Sequence, residues 1–192
     1  MDLLPFILAS VSLLATPGPT NTLLATSGAA VGVQRSLPLL AAEVTGYLLS
    51  ILILRALIGP LVASVPAFGL GLRTIVVIYL VVLAVDVWKR SPARDGESGP
   101  VTFSRVFVTT LLNPKAIIFA FTILPQEGDA NFAAVWHAAL ALQIVVVGAC
   151  WITAGATLRY GLQGLVSATV GYRVSAVALV ILAGGVGAHA FR

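Results

Sequence analysis

The chain has 192 residues, 59% of them hydrophobic and 9% charged, with a formal net charge of +4. A soluble domain carries roughly a quarter charged residues, so this composition, with a mean hydropathy of +1.04 and a pI of about 9.7, is that of an integral membrane protein. The eleven Lys and Arg are scattered and form no basic face, which excludes a nucleic-acid surface, and the single cysteine, Cys150, excludes an intrachain disulfide framework or a CxxC metal or redox site.

A spanning helix needs about 20 mostly apolar residues. Six such stretches follow one another at about 3–26, 37–57, 70–88, 106–124, 132–158 and 174–190. They show little polar alternation, so the spans are helical rather than β. The N-terminus has no basic region and no A-x-A-like site, so the first stretch is expected to be a retained span rather than a cleaved leader. That span carries Thr16-Pro17-Gly18-Pro19-Thr20-Asn21. Two prolines around a glycine open a helix for several residues. In lipid the freed carbonyls need partners, so this backbone must face protein or a water-filled cavity, with Thr16, Thr20 and Asn21 supplying hydrogen bonds.

In the second span Glu43, Gly46, Tyr47 and Ser50 fall on one face at i, i+3, i+4 and i+7. A carboxyl in such a bundle either carries a proton during transport or sits in a static ion pair, with Lys115 or Arg105 as partner. Arg55 is expected near the outer end of that span, snorkelling to the interface. In the third span Asp86 stands one turn before Lys89 and Arg90, which suits an ion pair at the membrane edge. The fourth span contains Leu112-Asn113-Pro114-Lys115-Ala116, a second break. Counted from Arg105, Lys115 lies about 15 Å along the helix, near mid-bilayer, where a lysine needs a cavity or a partner. His137 and Gln143 in the fifth span read as packing polar groups. His137 and His189 have no metal-ligand spacing. Gly28, Gly32, Gly184, Gly185 and Gly187 suit close helix contact or local flexibility.

Arg35, Lys89, Arg90, Arg94, Arg105, Arg159 and Arg173 fall on one side of these spans, and only Arg73 and Arg192 on the other, with Glu127 and Asp129. The positive-inside rule puts the first set in the cytoplasm and both termini outside. The polar stretch 91–102, "SPARDGESGPVT", is then a cytoplasmic loop. One transmembrane domain, 1–192, is expected, with repeat one at about 1–90, the loop at about 89–105 and repeat two at about 103–192. An offset of 97 residues that sets Pro17 on Pro114 also sets the second and third spans on the fifth and sixth. Three spans per half make the second half inverted, a recurring transporter plan in which each half carries a broken helix.

"TPGPTN" in the first span and "LLNPKAIIFAFTILPQ" in the fourth resemble the two signature segments of the LysE/RhtB family of amino-acid exporters, and "YLVVLAVDVWKR" in the third resembles a family segment more loosely. The resemblance covers essentially the whole chain. It implies an all-α fold of six spans and a bacterial cytoplasmic-membrane exporter of amino acids or related small metabolites, driven by a proton or ion gradient. By motif position it implies that Pro17, Gly18, Pro19 and Asn21 form one half of the substrate site and Asn113, Pro114 and Lys115 the other. It also hints at a homodimer. Two positions depart from the family pattern: Thr20, where Asn is frequent, and Glu43, where a small residue is common.

Three other readings stand beside the exporter. Metal-ion efflux lacks the oxygen or Cys/His clusters such a site needs. A membrane-embedded enzyme lacks a clustered acid, base or metal set, and no G-x-x-x-x-G-K-[ST] loop is present, so neither enzymatic chemistry nor a cofactor is expected. A non-transporting subunit has no use for a buried Lys115 or Glu43.

Overall fold

The computed structural model describes residues 3–89, 101–125 and 130–159, together with 173, 176, 177, 179–181, 183–185, 187 and 188. The loop residues Arg90 and Arg94, the acidic pair Glu127 and Asp129, His189, Arg192 and part of the sixth predicted span lie outside the described residues. Every regular element among the described residues is helical. In chain order they are α1 Leu3–Ala15, α2 Pro19–Val31, α3 Val33–Ser36, α4 Pro38–Ser64, α5 Pro66–Lys89, α6 Phe103–Leu111, α7 Lys115–Ile118 with a π-helical turn Phe119–Ile123, and α8 Ala130–Arg159.

Three helical stretches are long and apolar enough to cross a membrane unbroken: Val33–Ser64, Ala67–Asp86 and Asn131–Thr157. Two bent helix pairs are apolar enough to cross as well if each counts as one span. Leu3–Ala15 meets Pro19–Val31 at 64°, and Phe103–Leu111 meets Lys115–Ile123 at 52°. The bends fall at the two predicted proline motifs. Gly18 is extended and precedes Pro19 at the first position of α2, where a missing N–H costs nothing and the fixed φ suits a helix start. The second span runs to Ser64, seven residues beyond its expected end at 57, and tolerates Pro60 inside it. The third starts at Pro66 rather than 70, because Pro66 serves as a helix start after extended Val65.

The buried apolar side chains form two clusters. One gathers Leu13 and Leu14 before the first break, Tyr47 and Ile51 of α4, the segment after the second break from Ala116 to Leu124, and Trp136, Leu140 and Ile144 of α8. The other gathers Leu23 and Leu24 after the first break, Leu39, Leu40 and Ala42 of α4, Val106 before the second break, and Ile152 of α8. Each of these four spans therefore changes cluster partway along. Thr16–Asn21, Glu43, Thr110–Lys115 and Gly148 all fall at that change. A polar layer thus crosses the bundle between two apolar ones. Leu52 and Leu57 of α4, Val82 of α5 and Val135 and Leu142 of α8 point outward, as lipid-facing side chains do.

α2 and α8 pack together more extensively than any other pair of described elements. Their backbones touch: a Cβ on Gly28 would run into the carbonyl of Ile152, and one on Gly155 into that of Ala25. Small residues at helix interfaces in lipid allow this approach. Gly32 does something else. With φ +83 and nothing within 4 Å it ends α2 and turns the chain into α3, so of the pair Gly28 and Gly32 only the first makes a helix contact. Gly28→Ala should cost about 1–3 kcal/mol or more, the penalty of overpacking, whereas Gly59→Ala, with nothing within 4 Å of the added carbon, should leave stability unchanged or raise it. Thermal unfolding in detergent reads both. Equal melting temperatures for the two variants would remove this account of the α2–α8 contact.

Candidate functional site

The two breaks meet in the polar layer. Asn21, in the first turn of α2, reaches back across its own break. Its Nδ2 donates to the carbonyls of Leu14 at 2.7 Å and Thr16 at 2.8 Å, which the broken helix leaves open. Thr16 turns its hydroxyl back onto Ser12 O at 2.8 Å. Asn113 does equivalent work at the second break. Its Oδ1 accepts the Lys115 backbone N–H at 3.0 Å, which closes a local turn where the helix restarts. Its Nδ2 donates to Tyr47 OH at 3.1 Å and to Thr20 Oγ1 at 3.3 Å.

Thr20 continues the chain of hydrogen bonds. Its hydroxyl lies 3.2 Å from Thr110 Oγ1, which itself donates to Val106 O at 2.8 Å. A hydroxyl has one proton, so Thr20 is the donor of the pair. The Thr20 that replaces the family's frequent Asn therefore joins the two breaks directly. Gly46 supports the same junction. A Cβ there would lie 2.9 Å from Thr110 Cβ and 3.0 Å from Phe107 O, so α4 meets α6 at this level.

Lys115 is 2% exposed. Its Nζ donates to Thr16 O at 2.7 Å, across the gap between the two broken spans. A Cβ on Gly18 would stand 3.6 Å from that Nζ, in ordinary contact. The ammonium thus sits at the C-terminal end of α1, whose carbonyls carry the negative end of the helix dipole, and beside the N-terminal end of α2, which carries the positive end. Pro17 and Pro19 create these two ends, and Pro114 places Lys115 at the start of its own half-helix.

Glu43 is also 2% exposed. Its Oε2 meets no hydrogen-bond partner among the described residues. Gly148 of α8 makes room for it: a Cβ on Gly148 would lie 2.5 Å from Oε2, 2.7 Å from Leu40 and 3.3 Å from Leu24. This carboxyl therefore occupies an apolar niche at the edge of the second apolar cluster. Lys115 is the charged group that acts on this carboxyl. Tyr47 is buried one turn further along α4, with its ring edge-on to Phe119 at 5.7 Å.

The structure therefore brings Thr16, Pro17, Gly18, Pro19, Thr20, Asn21, Tyr47, Asn113, Pro114 and Lys115 to one place, with Glu43 one turn of α4 from Tyr47. Asp86 is not among them; it is exposed near the end of α5. Gln143 accepts from Ser10 Oγ at 2.9 Å and His137 lies against Ala133 O at 2.7 Å, both as packing groups. Arg55 departs from expectation. It does not snorkel: Nε donates to Ala120 O at 3.0 Å, and Nη2 to Leu124 O at 3.2 Å and Pro125 O at 2.9 Å. The i+4 series Glu43, Tyr47, Ile51, Arg55 was the available signal. Gly148 and Thr110 were missed because neither residue type stands out in an apolar run.

A sequence model of LysE type translocators matches residues 11–192. The chain is 33% identical over 150 residues to the cysteine/O-acetylserine efflux protein of Klebsiella pneumoniae subsp. pneumoniae, an alignment covering 73% of this chain and 74% of that one. It is 31% identical over 153 residues to the proteins of the same description in Salmonella choleraesuis and Salmonella typhimurium, covering 73% of this chain and 75% of each. No solved structure matches. The match over nearly the whole length, on a bundle of membrane-capable helices with both breaks in place, makes this chain a multi-pass membrane protein of the LysE type translocator family.

Proposed function

We propose that this chain exports a small neutral amino acid across a bacterial cytoplasmic membrane by alternating access, coupled to a proton gradient, and performs no chemical step on its cargo. The observation that carries the reading is the buried junction of two broken spans around Lys115. An α-amino acid presents a carboxylate and an ammonium. The carboxylate suits the Lys115 ammonium together with the N-terminal end of α2, where the Thr20 and Asn21 N–H groups begin a helix. The substrate ammonium suits the carbonyls of Leu14 and Thr16 at the end of α1, now held by Asn21 and Lys115. Substrate would thus exchange places with contacts the protein makes to itself.

Cysteine and O-acetylserine, the cargo in the relatives' names, are both small α-amino acids with uncharged side chains. The junction around the breaks offers hydroxyls and amides from Thr20, Asn113 and Tyr47 beside the charged group, which fits a short polar side chain. Glu43, whose Oε2 has no hydrogen-bond partner among the described residues, is the group suited to load and release a proton. The distribution of basic residues favours both termini outside, and in this reading the two broken spans act as the moving parts of two inverted repeats.

Counterflow in liposomes tests this reading. Purified protein should accumulate labelled cysteine or O-acetylserine against internal unlabelled substrate, with little uptake of arginine or of divalent cations. Flux of divalent cations without flux of any amino acid would favour metal efflux, and no flux at all a non-transporting subunit.

A further inference from the structure

The two broken spans end in contacts that the inverted repeat makes equivalent, and these contacts are built from opposite chemistry. The offset of 97 residues that carries Pro17 onto Pro114 also carries Gly28 onto Pro125 and Arg55 onto Ile152. Both pairs touch. Gly28 lies against the backbone of Ile152, and Arg55 Nη2 donates to Pro125 O at 2.9 Å.

The first contact is dry. Gly28 on Ile152 and Gly155 on Ala25 set backbone on backbone, and such packing yields only if one helix moves as a whole against the other. The second contact is polar. The π-helical turn and the extended Leu124 that ends it leave carbonyls open at the close of the span, and Pro125 follows. The guanidinium of half-buried Arg55 gathers three of them, those of Ala120, Leu124 and Pro125. A cation at a helix C-terminus is well placed, yet each of these bonds can be exchanged for one to water when the side chain swings away. Of the two equivalent ends, the one closed by Arg55 is the one built to open.

We propose that Arg55 is a positioning residue, a latch holding the second broken span shut at its C-terminal end, and that its release opens the path by which substrate leaves. The proposal rests on the translocator reading above. It ties the site to the exit through two elements. Arg55 stands two turns beyond Tyr47 on the same face of α4. Its carbonyl partners lie at the far end of the segment whose first residue is Lys115. Freeing the far end frees the segment that carries Lys115. With the cytoplasmic assignment of the basic loops, the latched end faces outward, the side to which an exporter delivers.

Thr122 provides the reporter. It lies between Ala120 and Leu124, and its hydroxyl is buried without a partner among the described residues. In a Cys150→Ser background, Thr122→Cys sets the only thiol of the full chain within the segment whose carbonyls Arg55 holds. The probe is a membrane-impermeant maleimide applied to either face of oriented proteoliposomes. Arg55→Gln should raise labelling from the outer face roughly tenfold or more, with labelling from the inner face unchanged. Arg55→Lys keeps the charge without the fork and should fall between. Equal outer-face labelling in all three proteins overturns the latch. So does an equal rise on both faces, which reports a loosened fold rather than one opening. Should Arg55→Gln fail to give monodisperse protein, Arg55→Lys decides alone, wild-type labelling being the overturning result. Counterflow on the same vesicles separates the two ideas: a dead wild-type transporter with the expected labelling pattern counts against the translocator reading, while active transport with unchanged labelling counts against the latch.

Discussion

Lys115→Met is expected to abolish amino-acid counterflow while leaving the fold as stable as before. The two halves of this result come from different physics. A buried charged group that loses its partner costs about 2–5 kcal/mol, which is roughly a 30-fold to several-thousand-fold loss of affinity for a carboxylate bound to it. Stability follows another rule. Lys115 gives its hydrogen bond to a neutral carbonyl, Thr16 O, so Lys115→Met loses about 1.5–3 kcal/mol of charged hydrogen bonding and regains the cost of desolvating the ammonium. The carbonyl that loses Lys115, Thr16 O, keeps its bond from Asn21 Nδ2. Measured together, flux and melting temperature separate a binding lysine from a structural one. Retained counterflow in Lys115→Met would remove Lys115 from the site, and a collapse of stability with flux lost would make it a structural strut.

Glu43→Gln is expected to separate exchange from gradient-driven transport. The amide has the shape of the protonated acid, so the niche made by Gly148, Leu40 and Leu24 should accept it, and counterflow should stay within about twofold, the scale of a surface-level perturbation in free energy. Accumulation driven by a pH gradient should fall by at least roughly tenfold, because no other carboxyl lies in the polar layer among the described residues and a proton carried at mid-membrane needs such a group. Gly148→Ala offers an independent check, since its Cβ would press within 2.5 Å of Oε2 and should impair the coupled mode before the exchange mode. If Glu43→Gln keeps gradient-driven accumulation at the wild-type level, the static ion-pair reading gains and the proton-carrier reading is lost. The wild-type carboxyl and its Gln variant should also differ in pH response: exchange by the variant should vary less across a pH series at zero gradient.

Much of this protein is legible in the chain itself. Composition alone requires a membrane, because an apolar run of about 20 residues has no soluble solution at this density of charge. Pro17-Gly18-Pro19 and Asn113-Pro114 dictate breaks, since proline cannot continue the hydrogen bonding of the turn before it, and the structure bends by 64° and 52° at these motifs. The burial of Lys115 and Glu43 follows from their depth along helices that start at recognisable points. Helix ends were less legible, as at Ser64 and Pro66, because apolar residues are equally at home inside a span and in a protein-covered extension of it.

What stood beyond the reach of the sequence is which groups face each other across spans. Lys115 acts electrostatically on Glu43, and the fold also sets its ammonium on Thr16 O, because the first break exposes a carbonyl at the same level of the bundle. Arg55 had the look of a snorkelling residue, and the π-helical turn gave it three carbonyls inside the protein instead. Gly28 and Gly32 share a spacing, yet one lies on the backbone of Ile152 and the other turns the chain. Local chemistry determines where a helix starts, stops or breaks, and those decisions are written residue by residue. Partnership across the bundle depends on rotation and register of whole helices, set by the packing of many small and apolar side chains whose individual identities carry almost no signal, and only the assembled structure decides it.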